Sequence, residues 1–527
     1  MAEALAADAS VLHADERARR RREWLGFLAI SMGSFIAILD IQIVASSINQ
    51  IQAGLSASAD EIQWVQTSYL IAEVIAIPLS GYMARLLSTR VYFTLSALGF
   101  TLASLLCACA WDLPSMVCFR ILQGFLGGGM IPTAFAAMFL LFREDRRRAL
   151  PQLIGGLMAI LAPSMGPTFG GYITSVASWH WLFLVNLVPG LLCAYGVWTL
   201  VDLDRPKPEM LRLTDWAGLV FMALFLGGLT YTLDEGPRAD WFADRSVAVC
   251  AVLAAAGGAL FFWRAFTSVH PIVDLRAFRN RNFALTSLVS ILLGMTMFTL
   301  NYLTPLFLGR VRGYDSLQIG EVLMIQGCSM FLSAPVVSRL SRRMDPRMVI
   351  AIGVALAASG SWLNGHMTAD WGHHEFILPQ VLRGIGMIFA FIPMTNLALG
   401  TMAIDEVNNA SGLYTLMRNI GGAIGLALVA TLLDTRYQLH WQSINESLSL
   451  SRPMVREFID STGALLAPGS GDGSGLGLAM LARLAQRQAL TIAYNDMYLL
   501  LSATVASTLL LVPLLAKPKA EVSRGAH

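Results

Sequence analysis

Three ionisable residues stand where ionisable residues are costly. Asp40, Glu73 and Arg120 each lie inside a long apolar stretch of the chain. A charge surrounded by hydrocarbon is disfavoured, so such a residue marks an ion or substrate path, a proton relay or a structural pair. Counting about 1.5 Å per residue from the ends of their stretches places all three roughly 10–16 Å deep. Burial favours the neutral form of a carboxyl group, and a neighbouring guanidinium favours the ionised form. A carboxylate that passes between those influences takes up and releases a proton, which is what proton-coupled transport requires. The alternative is a static Asp–Arg pair, with Arg120 holding helix ends and backbone carbonyls. Gln42, Gln123, Asn301, Tyr302, Asn396 and Arg418 are further candidates to line a substrate cavity, with Arg383 and Asn419 beside them. For Arg418, helix pairing is favoured over a place in the cavity.

About fourteen apolar stretches, each near the roughly 20 residues that cross a bilayer, must position these groups. The chain has 527 residues, of which 55% are hydrophobic and 14% charged. A soluble domain carries about a quarter charged residues. In lipid, backbone N–H and C=O groups must be satisfied within the chain, so the stretches are predicted to be helices and the protein an all-α polytopic membrane protein. Spans carrying the candidates are expected at 24–48, 62–84, 115–142, 150–176, 181–201, 283–308, 376–400 and 411–433, and the last at 494–516.

The net charge of +2 says little, but its distribution says more. Arg17, Arg19, Arg20, Arg21 and Arg22 precede the first span, and alternate short loops carry Arg85 and Arg90, Arg143 to Arg148, Arg205, Lys207 and Arg212, and Arg339 to Arg347. Basic loops stay in the cytoplasm, so both termini are expected there. The six cysteines fall in apolar segments and read as small core residues. His366, His373 and His374 share one loop without further ligands, so neither a metal nor another cofactor is expected. No nucleophile elbow, metal-ligand cluster or nucleotide-binding Gly-Lys loop appears, which disfavours an enzyme or an ATP-driven pump. Nothing points to nucleic acid.

An internal repeat organises the spans. Pro78 to Arg85 with Arg90, and Pro335 to Arg342 with Arg347, keep the same register. Arg120 leads through glycines to Pro132, as Arg383 does to Pro393. Two six-helix bundles with two inserted helices follow, the major facilitator layout. The expected parts are a tail at 1–23, a first bundle at 24–201, inserted helices with linkers at 202–282, a second bundle at 283–516 and a tail at 517–527. Between the last two spans, 434–493 is expected to be an outer loop: an amphipathic stretch, a Gly/Ser linker at 468–475 and a short helix at 476–488.

Gly166-Pro167-Thr168-Phe169-Gly170-Gly171 lies inside the fifth span. Glycine permits close helix approach and proline bends a helix, which suits a gating contact. Together with Leu39-Asp40 and Arg120-Ile-Leu-Gln-Gly124, this segment resembles the motifs of major facilitator drug:proton antiporters of the fourteen-helix EmrB/QacA type. Trp179 to Asn186, Leu233 to Gly236 and Arg487 to Asp496 are similar to the EmrB-like subgroup. The chain departs from the pattern at Gln42 and Asn49, and Arg85 stands where the family places a latching Asp. The resemblance implies proton-coupled efflux of hydrophobic or amphipathic toxic compounds across a bacterial inner membrane, with Asp40 and Arg120 in coupling and Gly166, Pro167, Gly170 and Gly171 in gating; Glu73 stands at a position often neutral in relatives, and its expected part in coupling rests on its burial alone. It also implies a periplasmic adaptor leading to an outer-membrane channel. Export of one endogenous metabolite, such as a siderophore or fatty acid, and a non-transporting receptor or scaffold are the alternatives.

Overall fold

The computed structural model describes residues 2–58, 61–142, 145–269, 271–341, 343–466 and 473–516. The tail at 517–527 and most of the expected Gly/Ser linker lie outside them. The described α-helices are α1 (Ala2–Ser46), α2 (Ile48–Leu55), α3 (Trp64–Leu87), α4 (Thr89–Ala108), α5 (Leu113–Gly128), α6 (Met130–Leu141), α7 (Asp145–Val176), α8 (Trp181–Leu184) and α9 (Leu187–Leu200). They continue as α10 (Trp216–Glu235), α11 (Arg245–Thr267), α12 (Arg281–Phe307), α13 (Ser316–Leu340), α14 (Pro346–Asn364), α15 (His373–Leu399), α16 (Val407–Ser447), α17 (Pro453–Leu466) and α18 (Gly473–Ser507).

Among the described residues, 13 helical segments are long and apolar enough to cross a membrane. The 32-residue α7 occupies the place of the fifth expected span. The protein is an all-α polytopic membrane protein with the major facilitator fold. The face from which α1 enters is called the near face below, and the opposite one the far face.

The halves meet where α3 packs on α16 and where α7 packs on α13. The inserted pair α10–α11 packs on itself, and α10 also touches α3 and α16, one helix from each half. Side-chain bonds reinforce that bridge: Thr67 of α3 donates to Asp234, and Trp241 Nε1 donates to Thr431 of α16 at 3.1 Å. On the near face a buried apolar cluster crosses between halves, joining Tyr82, Leu86 and Phe139 to Ala410, Leu413 and Tyr414.

The fourth and sixth spans hold as single membrane segments, 113–141 and 181–200. Each has a local break, at Gly129, where a Cβ would overlap the Tyr92 hydroxyl, and at Val185 and Asn186. Other expectations are corrected. Of the cysteines read as core residues, Cys107 and Cys193 are buried, but Cys109, Cys118 and Cys328 face outward. The largest difference lies at 434–493. α16 runs 41 residues and α18 runs 35, so both helices continue well past the bilayer instead of ending in a loop. Residues 434–447 contain neither glycine nor proline, so the helix has no reason to stop where hydropathy falls. It ends at Ser447, shortly before Pro453 opens α17. The segment expected at 476–488 is the first part of α18, and Gly477 of α18 packs against the Ile459 backbone of α17.

Candidate functional site

α3 and α5 run in the same direction and touch at every fourth residue. Arg120 Nε donates to the Val65 carbonyl at 3.0 Å. A Cβ on Gly124 would collide with the Tyr69 backbone, and one on Gly128 would lie 2.7 Å from the Glu73 carbonyl. Small residues at this spacing let two membrane helices approach backbone to backbone. That approach sets Arg120 level with Val65 and over the Tyr69 ring, and leaves Glu73 two turns further along α3, beside Gly128. α5 itself is fixed by a capping box in which Asp112 accepts from the Ser115 amide at 2.9 Å.

Arg120 and Asp40 of α1 form a fully buried ion pair, Nη1 to Oδ2 at 2.7 Å. Asp40 Oδ1 accepts from Asn186 Nδ2 at 2.6 Å and from Gln123 Nε2 at 3.1 Å. Gln123 Oε1 accepts from Arg120 Nη1 at 2.6 Å. The Ser104 hydroxyl accepts from Gln123 at 2.8 Å and from Asn186 at 3.4 Å. The Tyr69 ring lies under the guanidinium, 4.2 Å from its carbon, and Nη2 has no hydrogen-bond partner. Buried charges survive when paired and hydrogen-bonded, and this carboxylate has three donors. One dry carboxylate therefore ties together α1, α5 and the break between α8 and α9.

Glu73 is only 4% exposed and stands apart from this network. Among the described residues it has no ion-pair partner within contact, but Arg120 and Arg418 both act on it at longer range. Arg418 belongs to α16 of the second half, is half-buried and lies 5.5 Å from the Phe391 ring. Glu73 thus lies on α3, the helix that packs on both α5 of the first half and α16 of the second.

The glycine-rich segment of α7 packs on α1. A Cβ on Gly166 would overlap Gln42, and one on Gly170 would lie 2.5 Å from Ser46 Oγ and 3.0 Å from the Ile43 carbonyl. Gly171 is half-buried, and the Pro167 side chain lies outside the described residues. On the other side of α7, Thr168 abuts Gly320 of α13. The near face closes differently. A Cβ on Gly81 would lie 2.8 Å from the Asn408 carbonyl, and Ser411 donates to the Pro132 carbonyl at 2.6 Å. Arg85, which replaces the family's latching Asp, keeps its side chain on its own helix, Nε to the Gly81 carbonyl at 3.3 Å. A cavity between α1, α6 and α7 is lined by Phe35, Ile38, Phe135, Met138 and Met158.

The structure therefore brings Asp40, Arg120 and Gln123 together, leaves Glu73 further along α3, and puts Gln42 in the α1–α7 contact. Asn301 and Tyr302 lie toward the far end of α12, and Tyr302 is 41% exposed. Asn396 lies three residues from the near end of α15. None of these three joins the Asp40 network. Sequence reasoning missed Asn186, Ser104 and Tyr69 as site residues. Asn186 carried a signal, being an amide in an otherwise apolar run from Trp181 to Val188. Ser104 and Tyr69 are ordinary residues of membrane helices and carried none.

The fold is that of a membrane transporter. Residues 30–426 match the Major Facilitator Superfamily, and the chain belongs to that family. It is 44% identical to the colistin resistance protein EmrB of Acinetobacter baumannii over 93% of this chain and 96% of that one. It is 28% identical to the fatty acid resistance protein FarB of Neisseria gonorrhoeae, covering 95% and 97% of the two chains. The multidrug export protein EmrB of Escherichia coli is 27% identical over 93% of this chain and 94% of that one. Among solved structures, a proton-dependent oligopeptide transporter matches 94% of this chain and 99% of its own at a TM-score of 0.58 and 12% identity. The human organic anion transporter MFSD10 matches 92% and 99% at 0.56 and 11%. At these identities the likeness concerns the fold.

Proposed function

We propose that this chain is a proton-coupled exporter of hydrophobic and amphipathic toxic compounds in a bacterial inner membrane. The observation that carries the reading is the dry Asp40–Arg120 pair. The names of relatives concerned with multidrug export and colistin resistance support it. Protonation of Asp40 removes the charge that Arg120, Gln123 and Asn186 all address, and so loosens the common anchor of three helices. Asp40 is fully buried, so proton exchange requires the helices to part and admit water. That requirement links the proton to the alternation of access. Opening to the near face must break the Gly81–Asn408 and Ser411–Pro132 contacts, and opening to the far face must part α7 from α13. Glu73, buried on the helix that packs on both α5 and α16, serves a second proton step or recognises a cationic substrate.

The near face is assigned to the cytoplasm because basic loops cluster there, which places both termini inside. The chain is divided at residues 24, 202, 283 and 517 on this reading, and the packing of α10 on α11 supports treating them as an inserted pair. The far-face projection built from α16, α17 and α18 is the docking site for a periplasmic adaptor leading to an outer-membrane channel. It exposes Leu439, Met454, Leu465 and Leu478.

Efflux of a dye and drug panel from cells expressing the chain, with and without a protonophore, tests the reading. Gradient-dependent export of several unrelated compounds is expected. The name of the FarB relative keeps a second reading in view, in which export is confined to fatty acids, and the same panel separates the two. Absence of any gradient-dependent flux refutes both.

A further inference from the structure

The two halves carry corresponding arginines, but only one has a carboxylate. Arg120 in α5 and Arg383 in α15 each open a glycine-bearing stretch that ends in proline. Arg120 meets Asp40. Arg383 is 1% exposed, yet the buried acids among the described residues are Asp40, Glu73 and Asp215, and none belongs to the second half. Its one hydrogen bond is from Nη1 to Thr304 Oγ1, at 3.4 Å, and its Nε has no partner.

The surroundings repeat this deficit. Gln380 lies one turn before Arg383 on the same face of α15, is fully buried, and has no partner for either amide atom. Asn364 of α14 is also fully buried with both amide atoms unpartnered. Gly360 packs directly on α15, where its Cβ would lie 2.8 Å from Arg383 Cγ and from the Pro379 carbonyl. Residues four apart share a helix face, so Asn364 looks onto α15 beside Gln380. Tyr498 of α18 closes the group, its hydroxyl 2.8 Å from Thr304 Oγ1. Buried polar groups are normally satisfied by protein or ordered solvent, and a dry cation needs an anion in contact.

We propose that Arg383, Gln380 and Asn364 hold a small inorganic anion of the chloride class, while the Thr304 hydroxyl, which donates to the Leu300 carbonyl at 2.9 Å and accepts from Arg383, orients the guanidinium. The donors are the guanidinium N–H groups and two amide NH2 groups. The amide oxygens turn to a water that enters with the ion. The near-complete burial of Arg383 favours a small ion over the carboxylate of a transported compound. This site is separate from the proton pair and balances the second half as Asp40 balances the first.

The test is thermal melting of the full-length protein in detergent, titrated with sodium chloride or bromide against sodium gluconate. The melting temperature should rise saturably with chloride and bromide and stay level with gluconate. Arg383→Met should abolish the response. Gln380→Leu should raise the half-saturating chloride concentration about tenfold, the equivalent of one hydrogen bond to a charged group. If Arg383→Met does not fold, Gln380→Leu and Asn364→Leu carry the comparison. Bromide located by anomalous scattering beside Arg383 would support the site directly. Equal melting of the wild type in chloride and gluconate overturns the proposal. So does an unaltered chloride response in the variants, or stabilisation by an amphipathic carboxylate but not by chloride.

Discussion

Replacing Asp40 by Asn separates a coupling role from a structural one. The wild-type carboxylate accepts from Arg120 at 2.7 Å, from Asn186 at 2.6 Å and from Gln123 at 3.1 Å. An amide keeps one oxygen, which the two donors on Oδ1 would claim, and turns its NH2 toward the Arg120 Nη1 donor. The variant thus loses the ion pair and gains a donor facing a donor. Leaving a buried charge without its partner costs about 3–5 kcal/mol. Adding Arg120→Gln removes the orphaned charge, so the double variant should recover at least about 2 kcal/mol of that loss. Stability is read from denaturation in detergent, and function from proton-driven dye efflux in everted membrane vesicles. Asp40→Asn is expected to insert, to be destabilised and to lack gradient-driven efflux. The double variant is expected to regain stability but not efflux, because no group there can carry the proton. Wild-type efflux by the double variant would show that the pair only holds helices together, and the coupling argument would fail.

Glu73→Gln removes a buried carboxylate of α3, so cationic substrates should lose export while neutral ones keep it; an unchanged substrate panel and pH profile would mark Glu73 as passive. Gly170→Leu forces a side chain into Ser46, Ser47 and the Ile43 carbonyl, and should abolish transport without preventing membrane insertion, as read by surface labelling and efflux. Joining residue 447 to residue 476 by a short Gly/Ser linker removes α17 but spares Arg487, which anchors α18 to the Val311 and Ala369 carbonyls. This variant should stay inserted and lose adaptor co-purification; undiminished adaptor binding would place the contact elsewhere. The Ser115 hydroxyl and amide hold the Asp112 carboxyl below the usual aspartate range. Its contribution to α5 is therefore complete above the ordinary aspartate value and lost as pH falls through the lowered one, and Asp112→Asn should flatten that acid limb of the melting profile.

The sequence by itself determined that the chain spans a membrane, because hydropathy and segment length are local properties and lipid admits only internally bonded backbone. It also marked Asp40, Arg120 and Gln123, since a charge or amide in hydrocarbon is visible in one dimension. The repeat that relates Pro78–Arg85 to Pro335–Arg342 made the two halves legible as well. Tertiary structure alone decided the rest. That Asp40 is shared by Arg120, Gln123 and Asn186 depends on helices whose contributing residues lie 80 to 146 positions from it along the chain. The constant register of Val65, Tyr69 and Glu73 against Arg120, Gly124 and Gly128 is a packing result that no single segment encodes. The same holds for the far-face projection: composition showed where lipid ends, but helix continuation past that point is set by an unbroken polar helix and by the packing of α17 on α18. Arg383 shows the distinction most clearly, since its charge is evident in the sequence while its lack of a carboxylate partner appears only once its neighbours are in place.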